Sequence, residues 1–269
     1  GSRSGQIRRT GGLVLGGEDM GEWLRYTFGV LGNAASLLLY LSPILTFKMV
    51  VKKRSTEGYS CVPYIVALLN CAGAMWYTSP VVNDGWKHFP VFAINGVGAL
   101  LELAYILIYL CFAPTKQHKA KVVGMTLLVA AMCGGIAAAS ILGFPDPRRR
   151  QAFVGYLGLA TSVALFTAPF VAVKGVIKTK SVEFMPFYLS FFTLISCSAW
   201  LAYGLLSRDF NLWAPNVVGC PLGIIQLGLY CKYRKKTVGT DSLAPHKGED
   251  LESHNMGSKQ LELAIEDLK

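Results

Sequence analysis

The sequence predicts an all-α membrane protein whose seven transmembrane helices form two parallel three-helix bundles joined by a linker helix, a 3+1+3 arrangement. Three observations lead to this fold class. Hydrophobic residues make up 52% of the chain and charged residues only 16%, compared with about 25% charged residues in soluble domains. Seven apolar segments reach the length of about 20 residues that a bilayer-spanning helix needs. The three segments before the fourth one are repeated by the three that follow it.

The seven predicted spans are separated by short connections that contain a turn former or a charge cluster. In chain order, the spans cover residues 26–50, 62–81, 89–112, 122–143, 152–174, 186–206 and 213–232. We expect an extracellular leader, a first three-helix repeat, a loop with the linker helix, a second repeat and a disordered cytoplasmic tail, at residues 1–22, 23–113, 114–145, 146–236 and 237–269.

The positive charges predict the orientation in the membrane. Loops after the first, third, fifth and seventh spans carry fourteen Lys and Arg residues, whereas the opposite loops carry six. Cytoplasmic loops are the ones enriched in Lys and Arg, so the N-terminus is expected outside and the C-terminus in the cytoplasm. The run Arg148–Arg150 on the outer side is an exception to this pattern.

An internal repeat explains the odd number of spans. Arg54–Glu57 recurs as Lys180–Glu183, and Pro43 recurs as Pro169, in each case 126 positions later. Three spans and one linker make four crossings before the repeat restarts, so both repeats enter the membrane in the same direction. Transporters built from such parallel repeats bind their substrate between the repeats, near the middle of the membrane.

Other kinds of chemistry have weak signals. The seven cysteines show no metal-ligand spacing, and the four histidines fall in loops or in the tail. There is no phosphate-binding loop and no catalytic triad. We therefore expect no enzyme activity, no metal and no cofactor. The net charge of +10 is expected to lie beside anionic lipid rather than nucleic acid.

Six motifs, in this order, resemble the plant SWEET (MtN3/saliva) sugar transporters over about residues 23–233. They are GNAAS at 32–36, LSP at 41–43, KRSTE at 53–57, LNC at 69–71, AINGVG at 93–98 and SVEFMPF at 181–187. Two of these motifs, those containing Asn70 and Met185, resemble the clade that mostly handles hexoses. The resemblance implies a facilitative, bidirectional sugar uniporter that works by alternating access without ATP or an ion, with the plasma membrane favoured and a homo-oligomer left open.

Asn95, Asn216 and Trp200 are the predicted centre of a sugar site. A sugar presents hydroxyl groups around an apolar ring face, so its site needs neutral hydrogen-bonding groups and an aromatic surface. Asn95 and Asn216 are related by the repeat and match the substrate asparagines of the family. Trp200 lies inside a span, and its repeat counterpart is Ala74, so only the second half supplies this ring. For one asparagine alone, a hydrogen bond between helices would be the simpler explanation.

The remaining predicted site residues fall into two groups. By resemblance, one group lines the substrate pocket and sets its size: Asn70, Ala74, Ser196, Ser36, Leu39, Ser162 and Leu165. The other group resembles a proline tetrad near the cytoplasmic gate and a pair at the extracellular gate: Pro43, Pro63, Pro169 and Pro186, with Tyr77 and Asp209. Proline removes a helical hydrogen bond, so the first two helices of each repeat are expected to contain a hinge.

Two positions depart from the simplest pattern. Thr78 stands where the family usually has glycine after the gate tyrosine, whereas Gly204 keeps the equivalent glycine in the second half. Glu102 is a carboxylate inside a span. Such a residue suggests proton coupling by default, but we expect a structural, hydrogen-bonded role.

Two other functions remain as alternatives to a sugar transporter. They are a seven-helix receptor, which lacks the repeat, and a PQ-loop amino-acid carrier, which favours a charged pocket.

Overall fold

The chain folds into helices throughout the residues that the structure describes. This computed structural model covers residues 4–56, 58–83, 85–165, 167–182 and 187–238, and the regular structure in these ranges is helical. The helices are α1 (Ser4–Leu41), α2 (Ile44–Lys53), α3 (Val62–Thr78), α4 (Phe89–Phe112), α5 (Lys116–Gly143), α6 (Pro147–Leu165), α7 (Thr167–Thr179), α8 (Phe187–Leu206) and α9 (Phe210–Val238).

These helices account for seven crossings. The first predicted span is divided into α1 and α2, and the fifth corresponds to α6 and α7, which flank residue 166, outside the described part of the chain. Among the described residues, five stretches are long and apolar enough to cross a membrane: Met20–Lys53, Phe89–Phe112, Lys116–Gly143, Phe187–Leu206 and Phe210–Arg234. The α3 helix is apolar but has only 17 residues. The protein is therefore a multi-pass membrane protein.

The first span is interrupted at Pro43. A proline has no N–H to donate to the carbonyl four residues earlier, which here belongs to Leu39. That carbonyl instead accepts hydrogen bonds from the Ser42 N–H at 3.2 Å and from the Ser42 hydroxyl at 2.8 Å. The freed backbone group is thus satisfied locally, and the helix restarts at Ile44.

The other predicted hinge prolines occupy different positions in their helices. Pro63 lies in the first turn of α3, whereas Pro169 lies in α7, three residues after residue 166, which is outside the described part of the chain. A proline in the first turn removes no helical hydrogen bond, because those N–H groups have no partner within the helix. The expected bend inside the second helix of the first repeat is therefore absent from the described part of α3. Pro186 lies outside the described residues.

Six crossings pack as a closed ring, with the linker helix outside it. In ring order the packed pairs are α1 with α4, α4 with α3, α3 with α6, α6 with α9, α9 with α8 and α8 with α1. Each repeat thus places its third crossing between its first and second. The linker helix α5 packs on α3, α4 and α6. The predicted 3+1+3 arrangement is confirmed.

The two repeats also share local backbone geometry. Arg54, which follows α2, has a left-handed φ of 51°, and its counterpart Lys180, which follows α7, has a φ of 55°. Gly29 approaches Pro90 at the start of α4, and its counterpart Gly155 approaches Asn211 at the start of α9. The internal repeat read from the sequence is therefore a structural repeat as well.

Two boundaries differ from those predicted. The α1 helix begins at Ser4 and so includes most of the expected leader. Adding residues to an existing helix avoids the unfavourable step of helix nucleation. The α5 helix begins at Lys116, six residues before the predicted span, because the Thr115 hydroxyl caps it by accepting a hydrogen bond from the His118 N–H at 3.2 Å. In the predicted tail, residues 239–269 lie outside the described part of the chain.

Candidate sugar site and gate

The helix directions define two ends of the bundle. The Asp209 end contains the end of α3 and α8 and the start of α4 and α9, and the opposite end, where α2 stops, is the Lys53 end. Asn95 and Asn216 are each the seventh residue of their helix, so both lie about 9 Å along the helix axis from the Asp209 end. Trp200 lies at a similar depth, six residues before α8 ends.

The two asparagines make matching hydrogen bonds. The Asn95 side-chain amide donates to the Val91 carbonyl and the Asn216 amide donates to the Leu212 carbonyl, both at 2.9 Å. Each amide has two N–H groups and a carbonyl oxygen, so one bond within its own helix leaves further capacity for a ligand. Asn95 is buried with 9% of its surface exposed. This pair is the repeat-related arrangement that the sequence predicted.

Two repeat-related hydrogen bonds join the halves near the middle of the bundle. The Ser36 and Ser196 hydroxyls are 2.8 Å apart, at the seam between α1 and α8. The Ser162 hydroxyl donates to the Asn70 amide oxygen at 3.3 Å, at the seam between α3 and α6. Ser162 is the repeat counterpart of Ser36, and Ser196 is that of Asn70, so one contact is the image of the other. The structure therefore brings four of the predicted pocket residues together as two cross-half pairs.

Trp200 is held on the α1 side of this ring. Its indole N–H donates to the Ser36 hydroxyl at 3.0 Å, and its ring meets the Tyr203 ring edge to face, with centroids 5.5 Å apart. The ring also lies directly against Gly32, which has no side chain. An indole fixed in this way offers an apolar surface of the kind that sugar rings use.

The other predicted pocket residues are partly buried and have less defined roles. Ala74 is in α3, and its carbonyl accepts from the Thr78 hydroxyl at 2.7 Å. Leu39 contributes the carbonyl that Pro43 leaves without a helical donor. Leu165 is the last residue described in α6. Their influence on the size of a bound sugar stays a prediction.

Tyr77 and Asp209 meet at the Asp209 end and connect the two halves. The Tyr77 hydroxyl lies 2.8 Å from both carboxylate oxygens of Asp209. Asp209 also accepts from the Asn211 backbone N–H at 3.0 Å, which places it as the cap of α9. Both side chains are buried. The Asp209 carboxylate thus caps α9 in one half of the protein and accepts a hydrogen bond from Tyr77 in the other half.

A second layer surrounds this contact. The Gln151 amide donates to the Asn83 side-chain oxygen at 2.9 Å, and the Asn83 amide donates to the Tyr77 carbonyl at 2.7 Å. The Arg150 guanidinium donates to the Val81 carbonyl at 2.8 Å. Arg150 thus has a structural partner. This contact explains in part why the run Arg148–Arg150 lies on the predicted outer side, where few positive charges are expected.

His88 completes the polar cluster at this end. Its Nε2 lies 3.4 Å from Asp209, and its Nδ1 lies 3.4 Å from the Tyr203 hydroxyl. Burial lowers the pKa of His88 to about 4, and the positive charges of Lys87 and Arg25 act in the same direction, whereas Asp209 opposes them. The imidazole is therefore neutral near pH 7. The sequence placed His88 only in a loop and gave no signal for this role.

Thr78 does not obstruct packing at this end. The side chain is fully buried, and its hydroxyl turns back to bond within α3. In the second half, a Cβ on Gly204 would lie 2.7 Å from the Trp213 backbone nitrogen, so this glycine is required for the contact between α8 and α9. The missing glycine at position 78 is thus accommodated, while Gly204 keeps the role expected of it.

The packing of the two halves differs between the two ends. The α2 helix packs on α4, and α7 packs on α6 and α9, all within their own halves. The cross-half hydrogen bonds described above all lie at the middle of the bundle or at the Asp209 end. The Asp209 end is therefore closed by direct contacts between the halves, and extensive packing of α2 on α7 is absent from the described part of the Lys53 end.

Glu102 lies in α4, about two turns beyond Asn95, and is buried with 4% of its surface exposed. Its Oε2 atom has no hydrogen-bond partner among the described residues, and Oε1 is not among the atoms without a partner, so the expected hydrogen-bonded role stays a prediction. Nearby, the Tyr105 hydroxyl donates to the Tyr40 carbonyl at 2.8 Å, just before the helix interruption. The carboxyl is thus close to the hinge region rather than to the asparagine pair.

The described residues contain no cluster of metal-ligating side chains. A cavity of about 440 Å³ lies along the exposed face of α1 and is lined by Trp23, Tyr26, Thr27 and Val30. Its lining lacks the neutral amides that a sugar site needs. The level of Asn95 and Asn216 is therefore the better candidate on chemical grounds.

A family model described as "Sugar efflux transporter for intercellular exchange" matches residues 26–117 and 152–238. The two matched ranges correspond to the two repeats and leave out the linker helix α5. The asparagine pair, Trp200 and the Tyr77–Asp209 contact all lie inside the matched ranges.

Individual proteins are similar over most of the chain. The bidirectional sugar transporter SWEET3b of Oryza sativa subsp. japonica is 52% identical over 212 residues, covering 79% of this chain and 84% of that protein. SWEET3 of Arabidopsis thaliana is 46% identical over 249 residues, covering 92% and 94%. A solved structure of a eukaryotic SWEET transporter at 3.7 Å resolution is similar with a TM-score of 0.77 and 38% identity, covering 80% of this chain and 99% of that one.

Proposed function

The chain belongs to the SWEET (MtN3/saliva) family of bidirectional sugar transporters, and on that premise we propose that it is a facilitative uniporter that moves hexoses across the plasma membrane. Its activity is transport, not catalysis. The observation that carries the proposal is the repeat-related pair Asn95 and Asn216, with Trp200 at a similar depth in the same ring of helices.

The chemistry of the ring centre supports a neutral substrate. The polar side chains that bond at this level are hydroxyls and amides: Ser36, Ser162, Asn70 and Ser196. A sugar hydroxyl both donates and accepts, as these groups do. An amino-acid carrier needs charged partners for the ammonium and carboxylate groups of its substrate, and a receptor has no use for two matched halves. Sugar transport is thus favoured over both alternatives.

The proposed transport cycle follows from the contacts at the Asp209 end and at the Lys53 end of the bundle. With the halves latched by Tyr77 and Asp209, sugar reaches the centre from the Lys53 end. Approach of α2 and α7 then closes that end, while separation of Tyr77 from Asp209 opens the other. The interruption at Pro43 lets the inner part of the first span move without bending an intact helix. The direction of net movement follows the sugar gradient.

The charge pattern supports the orientation. Lys and Arg residues concentrate in the loops at the Lys53 end, which supports a cytoplasmic location for that end. The Asp209 end and the N-terminus would then face outward, and this conformation would be open to the cytoplasm. Exposure of a cysteine introduced at each end to an impermeant thiol reagent tests this orientation.

Sugar flux in cells that lack their own sugar transporters tests the function. We expect uptake and efflux of labelled glucose, with slower flux of labelled sucrose, and faster exchange when the cells are preloaded with glucose. Asn95→Ala and Asn216→Ala should each remove most glucose flux while the protein still reaches the membrane, because each removes amide groups available to the sugar.

Ser198→Ala is the matched control, since Ser198 is an exposed residue of α8 and should leave the flux unchanged. Normal glucose flux in both asparagine variants would contradict the proposed site. Absence of any sugar flux in the unmodified protein would contradict the proposed function itself.

A further inference from the structure

Gly32 lies in direct contact with the indole ring of Trp200. A Cβ at position 32 would lie 2.8 Å from Cε2 of Trp200 and 3.1 Å from both Cδ2 and Cζ2. These three atoms belong to the fused part of the ring, not to a flexible side-chain end. A methyl group at position 32 would therefore have to displace the whole ring.

The ring cannot move away without losing its other contacts. Its N–H is bonded to the Ser36 hydroxyl at 3.0 Å, one turn along α1. The neighbouring Tyr203 ring meets it at an interplanar angle of 79°, and Tyr203 itself is almost fully buried. Gly32, Ser36 and Tyr203 thus contact the indole at different parts of the ring and together set its position.

Gly158 is the repeat counterpart of Gly32, but its surroundings differ. A Cβ at position 158 would have no heavy atom within 4 Å. The difference follows from the repeat, because the counterpart of Trp200 is Ala74, which has no ring to place against the helix. The same residue type at equivalent positions is therefore needed for packing in one half only.

The difference in helix propensity between glycine and alanine makes a comparison of positions 32 and 158 informative. Glycine inside a helix is less stable than alanine by about 1 kcal/mol. Alanine at position 158 should thus be neutral or stabilising. Alanine at position 32 would gain the same propensity but would have to push the indole ring aside.

We propose that Gly32 is a positioning residue of the sugar site, which allows the Trp200 indole to lie directly against α1 at the depth of Asn95 and Asn216. This inference rests on the proposed function. Gly32 does not touch the sugar, and it acts through the ring that does. The site is consequently asymmetric, because the position related to Trp200 by the repeat is Ala74, which has no ring.

Gly32→Ala and Gly158→Ala, measured side by side, test the inference. A displaced ring loses part of its contact with the sugar, so we expect the glucose KM of Gly32→Ala to rise roughly 2- to 10-fold. The maximal flux per molecule at the membrane should change much less. Gly158→Ala should keep the KM of the unmodified protein.

A second comparison separates positioning from general destabilisation. Trp200→Ala removes the ring that a Cβ at position 32 would meet and places the same residue type at this position as at the repeat-related Ala74. Adding Gly32→Ala to Trp200→Ala should then raise the KM no further, so the two changes are non-additive. Equal KM values for Gly32→Ala and the unmodified protein would overturn the inference, as would full additivity with Trp200→Ala. Either result can occur in a protein that transports sugar, so the inference can fail while the proposed function stands.

Discussion

Single residues at the Asp209 end combine several tasks. Asp209 caps α9 through the Asn211 N–H, accepts the Tyr77 hydroxyl and lies 3.4 Å from His88. A buried carboxylate is tolerated here because each contact supplies a hydrogen bond or a polar neighbour. Opening of this end must therefore break the bond to Tyr77 while the helix cap remains in place.

The neutrality of His88 predicts a dependence of stability on pH. Its pKa is lowered from 6.5 to about 4 in the folded protein, chiefly by burial, so the unfolded chain binds more protons between these values. Stability then falls as the pH decreases from 6.5 towards 4 and does not change further below that range on account of this group. We expect the Tm of the purified protein to decrease across this window.

His88→Gln should flatten that decrease, since glutamine keeps hydrogen-bonding capacity but does not titrate. His118→Gln is the matched control, because His118 lies in the exposed first turn of α5, and its Tm profile should follow that of the unmodified protein. Identical pH profiles for all three proteins would show that His88 does not set this dependence.

At the scale of the helices, the interruption at Pro43 divides the first crossing into two parts with different neighbours. The α1 helix packs against α8 of the opposite half, whereas the packing of α2 in the described part of the chain is on α4, within its own repeat. The inner part, α2, can therefore move while the cross-half pair Ser36–Ser196 stays in contact.

Pro43→Ala tests this division. Alanine would restore an N–H that bonds to the Leu39 carbonyl and join α1 to α2 as one helix. If one hydrogen bond of about 1 kcal/mol must then break in each cycle, the maximal flux falls roughly 5-fold. The glucose KM should stay unchanged, because the asparagine pair is not touched.

Pro114→Ala is the control for that measurement, since Pro114 is exposed in the loop between α4 and α5. Its flux should equal that of the unmodified protein. A Pro43→Ala protein with full maximal flux would argue that the interruption is not used as a hinge.

At the scale of the whole molecule, the two halves meet through small neutral contacts at the centre and a polar latch at one end. The side chains that join the halves at the centre of the described structure are hydroxyls and an amide, which carry no charge. Glu102, the buried carboxyl of α4, is on a single half and has no repeat counterpart, because Gly223 takes its place. The architecture thus favours equilibration of sugar over accumulation.

We therefore expect that labelled glucose inside cells will not exceed its external concentration and that a protonophore will leave the flux unchanged. Glu102→Gln should transport equally at acidic and neutral external pH, since glutamine has a similar shape and carries no charge. Accumulation against a gradient, or loss of flux with the protonophore, would show that transport is coupled to protons.

Much of the fold could be predicted from the sequence, because the apolar spans are local features and the repeat is a regular spacing along the chain. Hydropathy marks the spans, and the recurrence of Pro43 as Pro169 and of Asn95 as Asn216 marks the repeat. The boundaries were less predictable, since Thr115 starts α5 early by a capping bond that periodicity does not reveal. The predicted roles of Leu39 and Leu165 remain predictions, because no contact of their side chains tests them.

The sequence alone determined the number of crossings, their parallel duplication and the neutral character of the central residues, since composition and repeat spacing are properties of the chain. Only the tertiary structure decided which residues meet. Ser36 pairs with Ser196 because the ring places α1 beside α8, and the repeat by itself does not specify that neighbour. For the same reason Gly32 supports the Trp200 ring while Gly158, equivalent in sequence, faces open space.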